Sequence, residues 1–168
     1  KEEKEEKEEE EEEDDCPICL EPLQKNPLKF YRMTCCGKGL HIYCSNGIDT
    51  SKHLSMEQKQ RCVMCRQQQT IIGSIEEIEE LRQWVFHKKI WAENMLADQF
   101  YQGMGVKQSY VKAAKYYNRA AMQGSCNGKI KLGVLYHYGH GGVIQNYKKA
   151  KELYMNMRQQ TEVTHKRK

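Results

Sequence analysis

Nowhere in the 168 residues do apolar side chains run for the ~18 positions that a membrane-spanning helix needs, so no membrane partner is expected. No secretory leader is expected either. The chain opens on KEEKEEKEEEEEEDD, starting from Lys, and reads as part of a longer protein. Without a leader, its eight cysteines are expected in a reducing compartment, cytosol or nucleus, where disulfides do not persist. Seven of them lie between positions 16 and 65, an odd number that also speaks against a disulfide framework.

What is present instead is a set of metal-type donors. Residues 16–65 read CPICLEPLQKNPLKFYRMTCCGKGLHIYCSNGIDTSKHLSMEQKQRCVMC. Cys16/Cys19 and Cys62/Cys65 are CxxC pairs, and between them stand Cys35/Cys36 and the HxxC of His41 and Cys44. A CxxC turn holds two thiolates at the spacing that grips one Zn²⁺, and a tetrahedral site takes four ligands. Seven cysteines and His41 make eight donors, enough for two Zn²⁺. A 50-residue module has too small a core to stand alone, so metal binding is expected to supply its folding energy. Within it, residues 20–34 read as a loop with Pro22 and Pro27, and residues 45–56 as a short helix around Ile48.

Charge is divided unevenly. Twelve acidic residues and three Lys fall in residues 1–15, a net −9 within a chain of formal charge +4, so the remainder stands at +13. The acidic stretch buries nothing, and nothing offsets the entropy of ordering it. It is expected to be a solvated tail or an electrostatic clasp. The basic remainder keeps nucleic acid among the possible partners. The last residues, 158–168, end THKRK and read as a basic tail.

Beyond the cysteines, residues 67–91 read as a linker and a capping helix. Ser74 and Glu77 fit a capping box. Ile75, Ile78, Leu81 and Val85 follow at helical spacing, predicting one amphipathic helix over 74–91. Residues 92–157 repeat internally. Leu96, Gly103 and Gly105 recur 36 positions later as Leu132, Gly139 and Gly141. Val106, Tyr110, Ala113 and Tyr117 recur 37 positions later as Val143, Tyr147, Ala150 and Tyr154. A period in the mid-thirties predicts a solenoid of helix pairs. Gly103, Gly105, Gly139, Gly141 and Gly142 mark the reversals, while Ala113, Ala114, Ala120 and Ala121 allow close helix approach. Tyr117 and Tyr154 are expected to fill the groove between helices. His87, His137, His140, His165 and Cys126 have no metal-like partners in the sequence.

These residues carry two resemblances. Residues 16–66 resemble a RING finger. That likeness implies a cross-brace: Cys16, Cys19, His41 and Cys44 on one Zn²⁺, and Cys35, Cys36, Cys62 and Cys65 on the other. It departs from the family at Lys38, where a second histidine ligand is usual, at Val63, where active members have proline, and at Ile48, where many have tryptophan. Whether Lys38 or His53 plays a part near the second site stays open. The ligand order also resembles a PHD finger, which would imply a chromatin or nucleic-acid binder, although Gln60 stands where that family has an aromatic residue. Residues 92–157 resemble two Sel1-like repeats of the TPR-like class. Ala97, Ser109 and Asn146 stand where that family often has Gly, Asp and Asp. Together the resemblances imply a small zinc-stabilised cross-brace module followed by an all-α helix-pair solenoid.

The RING likeness implies a ubiquitin-protein ligase (E3) without a nucleophile of its own, which positions a ubiquitin-loaded conjugating enzyme (E2). In that reading Ile18, Ile48, Val63 and Met64 contact the E2. Arg66 is the catalytic residue, its guanidinium clamping ubiquitin through several hydrogen bonds in a fixed fork. The repeats would bind a protein substrate or partner. A non-catalytic adaptor is the alternative.

Overall fold

The computed structural model describes residues 14–23, 29–140 and 142–155. The chain divides into two compact units, residues 1–67 and 68–168.

In the first unit, strands β1 (Phe30–Arg32) and β2 (Gly39–His41) form an antiparallel hairpin, with Phe30 opposite His41 and Arg32 opposite Gly39. A Cβ on Gly39 would meet the end of the Leu23 side chain, which packs over the hairpin there. Helix α1 (Ile42–Thr50) follows β2 without a loop, and α2 (Met56–Lys59) is a single turn. A capping box starts α2: Ser55 accepts from the Gln58 backbone N–H, and the Gln58 side chain accepts from that of Ser55. One apolar cluster gathers Cys16, Leu40 and Cys44, with Leu23, Tyr31 and Ile48 packed around them, and Met33 and Cys62 are buried as well.

Two expectations are corrected here. The expected loop over 20–34 contains β1, whose three residues are too few to show strand alternation. The helix expected over 45–56 begins instead at Ile42, and residues 51–55 are not helical. The earlier start matters because it places His41 at the cap and Cys44 in the first turn, three residues apart on one side of the helix. Asp14 and Asp15, counted with the acidic tail, belong to the module. Asp14 pairs with Arg32 at 2.5 Å and Lys38 at 3.1 Å, and Asp15 bridges to Pro22. Pro27 and residues 1–13 lie outside the described residues.

The regular elements of the second unit, among the described residues, are helices: α3 (Ile75–Phe86), α4 (Ile90–Gln102), α5 (Tyr110–Met122), α6 (Cys126–Tyr138) and a helical segment over 147–155. Three of them start on serine caps. Ser74, Ser109 and Ser125 each accept a hydrogen bond from the backbone N–H three residues on, satisfying a donor the helix cannot. Helices α4 and α6 end on Gly103 and Gly139, at φ 76° and 66°, which a residue with a Cβ adopts at a penalty. Leu96, Ala97, Ala113, Tyr117, Leu132 and Leu135 are buried at the centre. The Tyr117 hydroxyl donates to Asp98 at 2.5 Å, so the buried ring keeps its polar end satisfied.

The helix expected over 74–91 is two helices. It stops at Phe86 because Lys88 takes a left-handed conformation (φ 56°), and α4 begins at Ile90. Ile78 and Leu81 are buried, but Ile75 is 69% exposed and leaves the apolar face to them. The capping box is also only half formed. Glu77 accepts from the Gly73 backbone N–H at 2.6 Å and from the buried Gln99 amide at 2.9 Å, rather than turning back to Ser74. The repeat pairing is otherwise direct. Gln108 donates to the Tyr101 carbonyl and the Tyr110 hydroxyl, and Gln145 does the same to His137 and Tyr147. Tyr154 is half-buried and packs on Gly133, where a Cβ would meet its ring at 2.6 Å. Gly141, His165 and the tail over 158–168 lie outside the described residues.

Candidate metal centres

Three short turns place the donors. In each, the N–H of residue x bonds to the carbonyl of x+5, and the N–H of x+4 returns to the carbonyl of x. The pairs are Cys16 with Glu21 and Leu20, Met33 with Lys38 and Gly37, and Cys62 with Gln67 and Arg66, at 2.7–3.0 Å. Residue x+4 is left-handed in all three: Leu20 at φ 59°, Gly37 at 71° and Arg66 at 63°. Such a turn brings residues x and x+3 to one side. In the outer two they are the CxxC cysteines. His41 and Cys44 come from the junction of β2 and α1.

The side chains gather in two interleaved groups. Cys16, Cys19, His41 and Cys44 form one, and Cys35, Cys36, Cys62 and Cys65 the other, with the donor atoms of each group within 4.8 Å of one another. The first CxxC thus joins the HxxC, and the CC pair joins the last CxxC. Individual edges run from 3.3 Å (Cys19 Sγ to His41 Nδ1) through 3.5 Å (Cys35 to Cys65) to 3.7 Å (Cys36 to Cys62). Zn–S bonds of about 2.3 Å at the tetrahedral angle separate sulfurs by about 3.8 Å, and the shorter Zn–N bond brings an imidazole nitrogen nearer, so both groups have the dimensions of a tetrahedral zinc site. Each can hold a metal ion. The neighbours Cys35 and Cys36 fit one group because they stand at the third and fourth positions of the middle turn.

The acidities fit the same chemistry. Burial opposes charge on Cys16, but backbone hydrogen bonds from Cys19, His41 and Ile18 outweigh it and bring the thiol down to about 6. Cys44, in the same group, is pushed up to about 12 by burial and by the neighbouring Cys16 and Cys19 sulfurs. In the other group burial, followed by Cys65 and Cys62, raises Cys35. Cys62 is lowered, because backbone bonds from Cys65 and Met64 overcome its burial. Each cluster therefore combines thiols that ionise readily with thiols that resist it. A divalent cation relieves that conflict by neutralising the charge, and coordination deprotonates the thiols outright.

The surroundings orient the ligands. The Tyr43 ring stacks on His41 at 5.0 Å, and its hydroxyl lies 3.2 Å from Cys19 Sγ while donating to Glu21 at 2.9 Å. Behind the other group, Arg32 donates to Asp14 and to the Gly37 carbonyl, and Lys38 donates to the same carboxylate. Lys38 thus ties the middle turn to the start of the module. His53 is exposed, and its backbone N–H bonds to Ser51.

The four residues assigned to E2 contact, and Arg66 assigned to ubiquitin, divide by exposure. Ile18 is 48% and Met64 46% exposed, Arg66 is exposed, Val63 is half-buried, and Ile48 is half-buried against the cysteine core. Sequence reasoning did not single out Tyr43, Met33 or Asp14. The signal available for Tyr43 was its place between His41 and Cys44.

Comparison with known proteins bears on the second unit. A family model described as Sel1 repeat matches residues 92–125 and 128–154. These residues are Sel1 repeats. The match includes neither cysteine cluster. The fold is similar to the crystal structure of a Sel1 repeat protein from Oxalobacter formigenes, at 26% identity and a TM-score of 0.49 over 51% of this chain and 65% of that one. It is also similar to c5321, described as a protective antigen present in uropathogenic Escherichia coli strains displaying an SLR fold, at 24% identity and a TM-score of 0.48 over 51% and 18%. The chain therefore spans less than two thirds of either protein. No protein of curated function matches it. Among the described residues, no helix is long and apolar enough to cross a membrane.

Proposed function

We propose that residues 16–66 are a RING-type module binding two Zn²⁺, and that the chain is a ubiquitin-protein ligase whose Sel1 repeats hold the protein to be modified. The interleaving of the two donor groups carries this reading. It supports a cross-brace, with first and third pairs on one ion and second and fourth on the other. Bound there, each Zn²⁺ supplies structural cross-linking and no chemistry of its own.

The reaction would be attack of a substrate lysine amine on an E2–ubiquitin thioester, forming an isopeptide bond to ubiquitin as the C–S bond breaks and the E2 thiol leaves. The protein contributes orientation, holding the thioester near its reactive geometry. Ile18 and Met64 supply exposed apolar surface on the first and last metal turns, and Arg66 follows Cys65 with an exposed guanidinium suited to bridging carbonyl oxygens. E2-dependent chain formation by the purified chain tests the reading. An absence of any ubiquitin transfer across a panel of E2 enzymes would reject it.

A second reading has its own observation. Ile48 packs against the core of Cys16, Leu40 and Cys44, which withdraws part of it from a docking surface, and Val63 is half-buried. Both suit a zinc-stabilised adaptor that binds partners without promoting transfer. Under that reading, NMR titration with E2 leaves the resonances of Ile18 and Met64 unmoved while a protein partner still binds the repeats.

A further inference from the structure

The middle turn has the same hydrogen bonds and the same left-handed fifth residue as the two CxxC turns, yet its first residue is Met33. In the outer turns the first residue, Cys16 or Cys62, is 0% exposed and sends its sulfur into a donor group. Met33 is 4% exposed, and its thioether accepts from the Cys62 thiol at 3.2 Å. Its side chain therefore points into the second group, as a cysteine there would.

We propose that position 33 is a ligand position of the second metal site, occupied by a methionine, and that Cys35 supplies the thiolate displaced from it. The inference rests on the two-zinc reading above. A thioether is neutral and a weaker donor than a thiolate, so Met33 backs the site without completing it. The missing anionic ligand comes from the third residue of the same turn, two positions on. The result is a site lined by sulfur alone, four thiols and one thioether, beside a first site that includes the imidazole of His41. Such a donor set suits a thiophilic divalent ion.

The experiment is a thiol transplant in the full chain, read by zinc content and by the absorption of the Co²⁺-substituted protein. Wild type binds two zincs, Cys35→Ser one, and the double variant Met33→Cys/Cys35→Ser two again, with the cobalt-thiolate absorption restored. Met33→Leu/Cys35→Ser stays at one, excluding a general effect of refilling position 33. In Met33→Cys alone, zinc-loaded protein protects residue 33 from alkylation and leaves Cys35 open to it. A double variant that stays at one zinc overturns the proposal, as does a Cys35→Ser variant that keeps two. So does a Met33→Cys protein in which residue 33 is the alkylated one. A wild-type chain that binds fewer than two zincs instead rejects the two-zinc reading itself.

Discussion

Cys36 and Cys62 stand 26 positions apart in the chain, yet their sulfurs lie 3.7 Å apart. The separation matches one edge of a zinc tetrahedron, and two turns of the same backbone design produce it. Closing so long a loop without a large apolar core leaves the first unit dependent on whatever bridges its sulfurs.

Chelation should therefore unfold one unit and spare the other. Removing zinc is expected to abolish amide protection over residues 16–66, while amides of α4, α5 and α6 keep theirs. Hydrogen exchange followed by mass spectrometry reads both at once. Equal loss of protection in both units would contradict a core divided as observed.

The donors were legible because ligand chemistry is discrete: eight residues of the right type at the right spacing can be counted. Their companion, Met33, was not, since methionine carries no ligand signature and only the repeated turn exposes its place. The hairpin carries little sequence signal for another reason. Phe30–Arg32 is three residues long, and its partner strand Gly39–His41 is as short and opens on a glycine, a residue of low strand propensity. The end of α3 was hidden too. Nothing in Lys88 announces a left-handed residue, and the apolar spacing continues through it. The repeats were readable because buried Leu96 and Leu132, and the capping Gly103 and Gly139, recur in register.

The corrected face of α3 has a measurable consequence. Leu81 is fully buried, so Leu81→Ala is expected to destabilise the second unit by about 2–5 kcal/mol. Ile75 is 69% exposed, and Ile75→Ala should stay within about 0.5 kcal/mol of wild type. Urea denaturation of the two variants compares them directly; similar losses would place Ile75 back in the core.

Glu77 predicts a pH dependence. Burial first, then the neighbouring Glu80, raises its carboxyl above the ordinary 4.5, against the bond from Gly73. A raised carboxylic acid favours the protonated form in the folded state. Its penalty is absent below the unfolded value and grows as pH rises from 4.5 through the folded one. The second unit should thus gain stability from this group as pH falls from 7 toward 4.5. Glu77→Gln, which keeps an oxygen for the Gly73 N–H, should flatten that part of the profile. A profile of melting temperature against pH that is identical in the two proteins would remove Glu77 as its source.

Ile18 separates ligase from adaptor most cleanly because it is exposed and makes no part of the cysteine core. Truncating an exposed side chain changes stability by about 0.5 kcal/mol or less. Ile18→Ala is therefore expected to keep two zincs and the wild-type melting temperature, and to lose at least about tenfold in E2-dependent chain formation if a contact worth ~1.4 kcal/mol in the transition state is removed. Ile48→Ala serves as the contrast. Its side chain packs on Cys16, Leu40 and Cys44, so activity and stability should fall together. Arg66→Ala tests the other half of the arrangement: E2 binding measured by titration should persist while ubiquitin discharge slows, because the guanidinium is assigned to ubiquitin and not to the E2. Transfer that is untouched by Ile18→Ala moves the docking face elsewhere on the module. Binding and discharge lost together in Arg66→Ala would show that Arg66 belongs to the docking face itself.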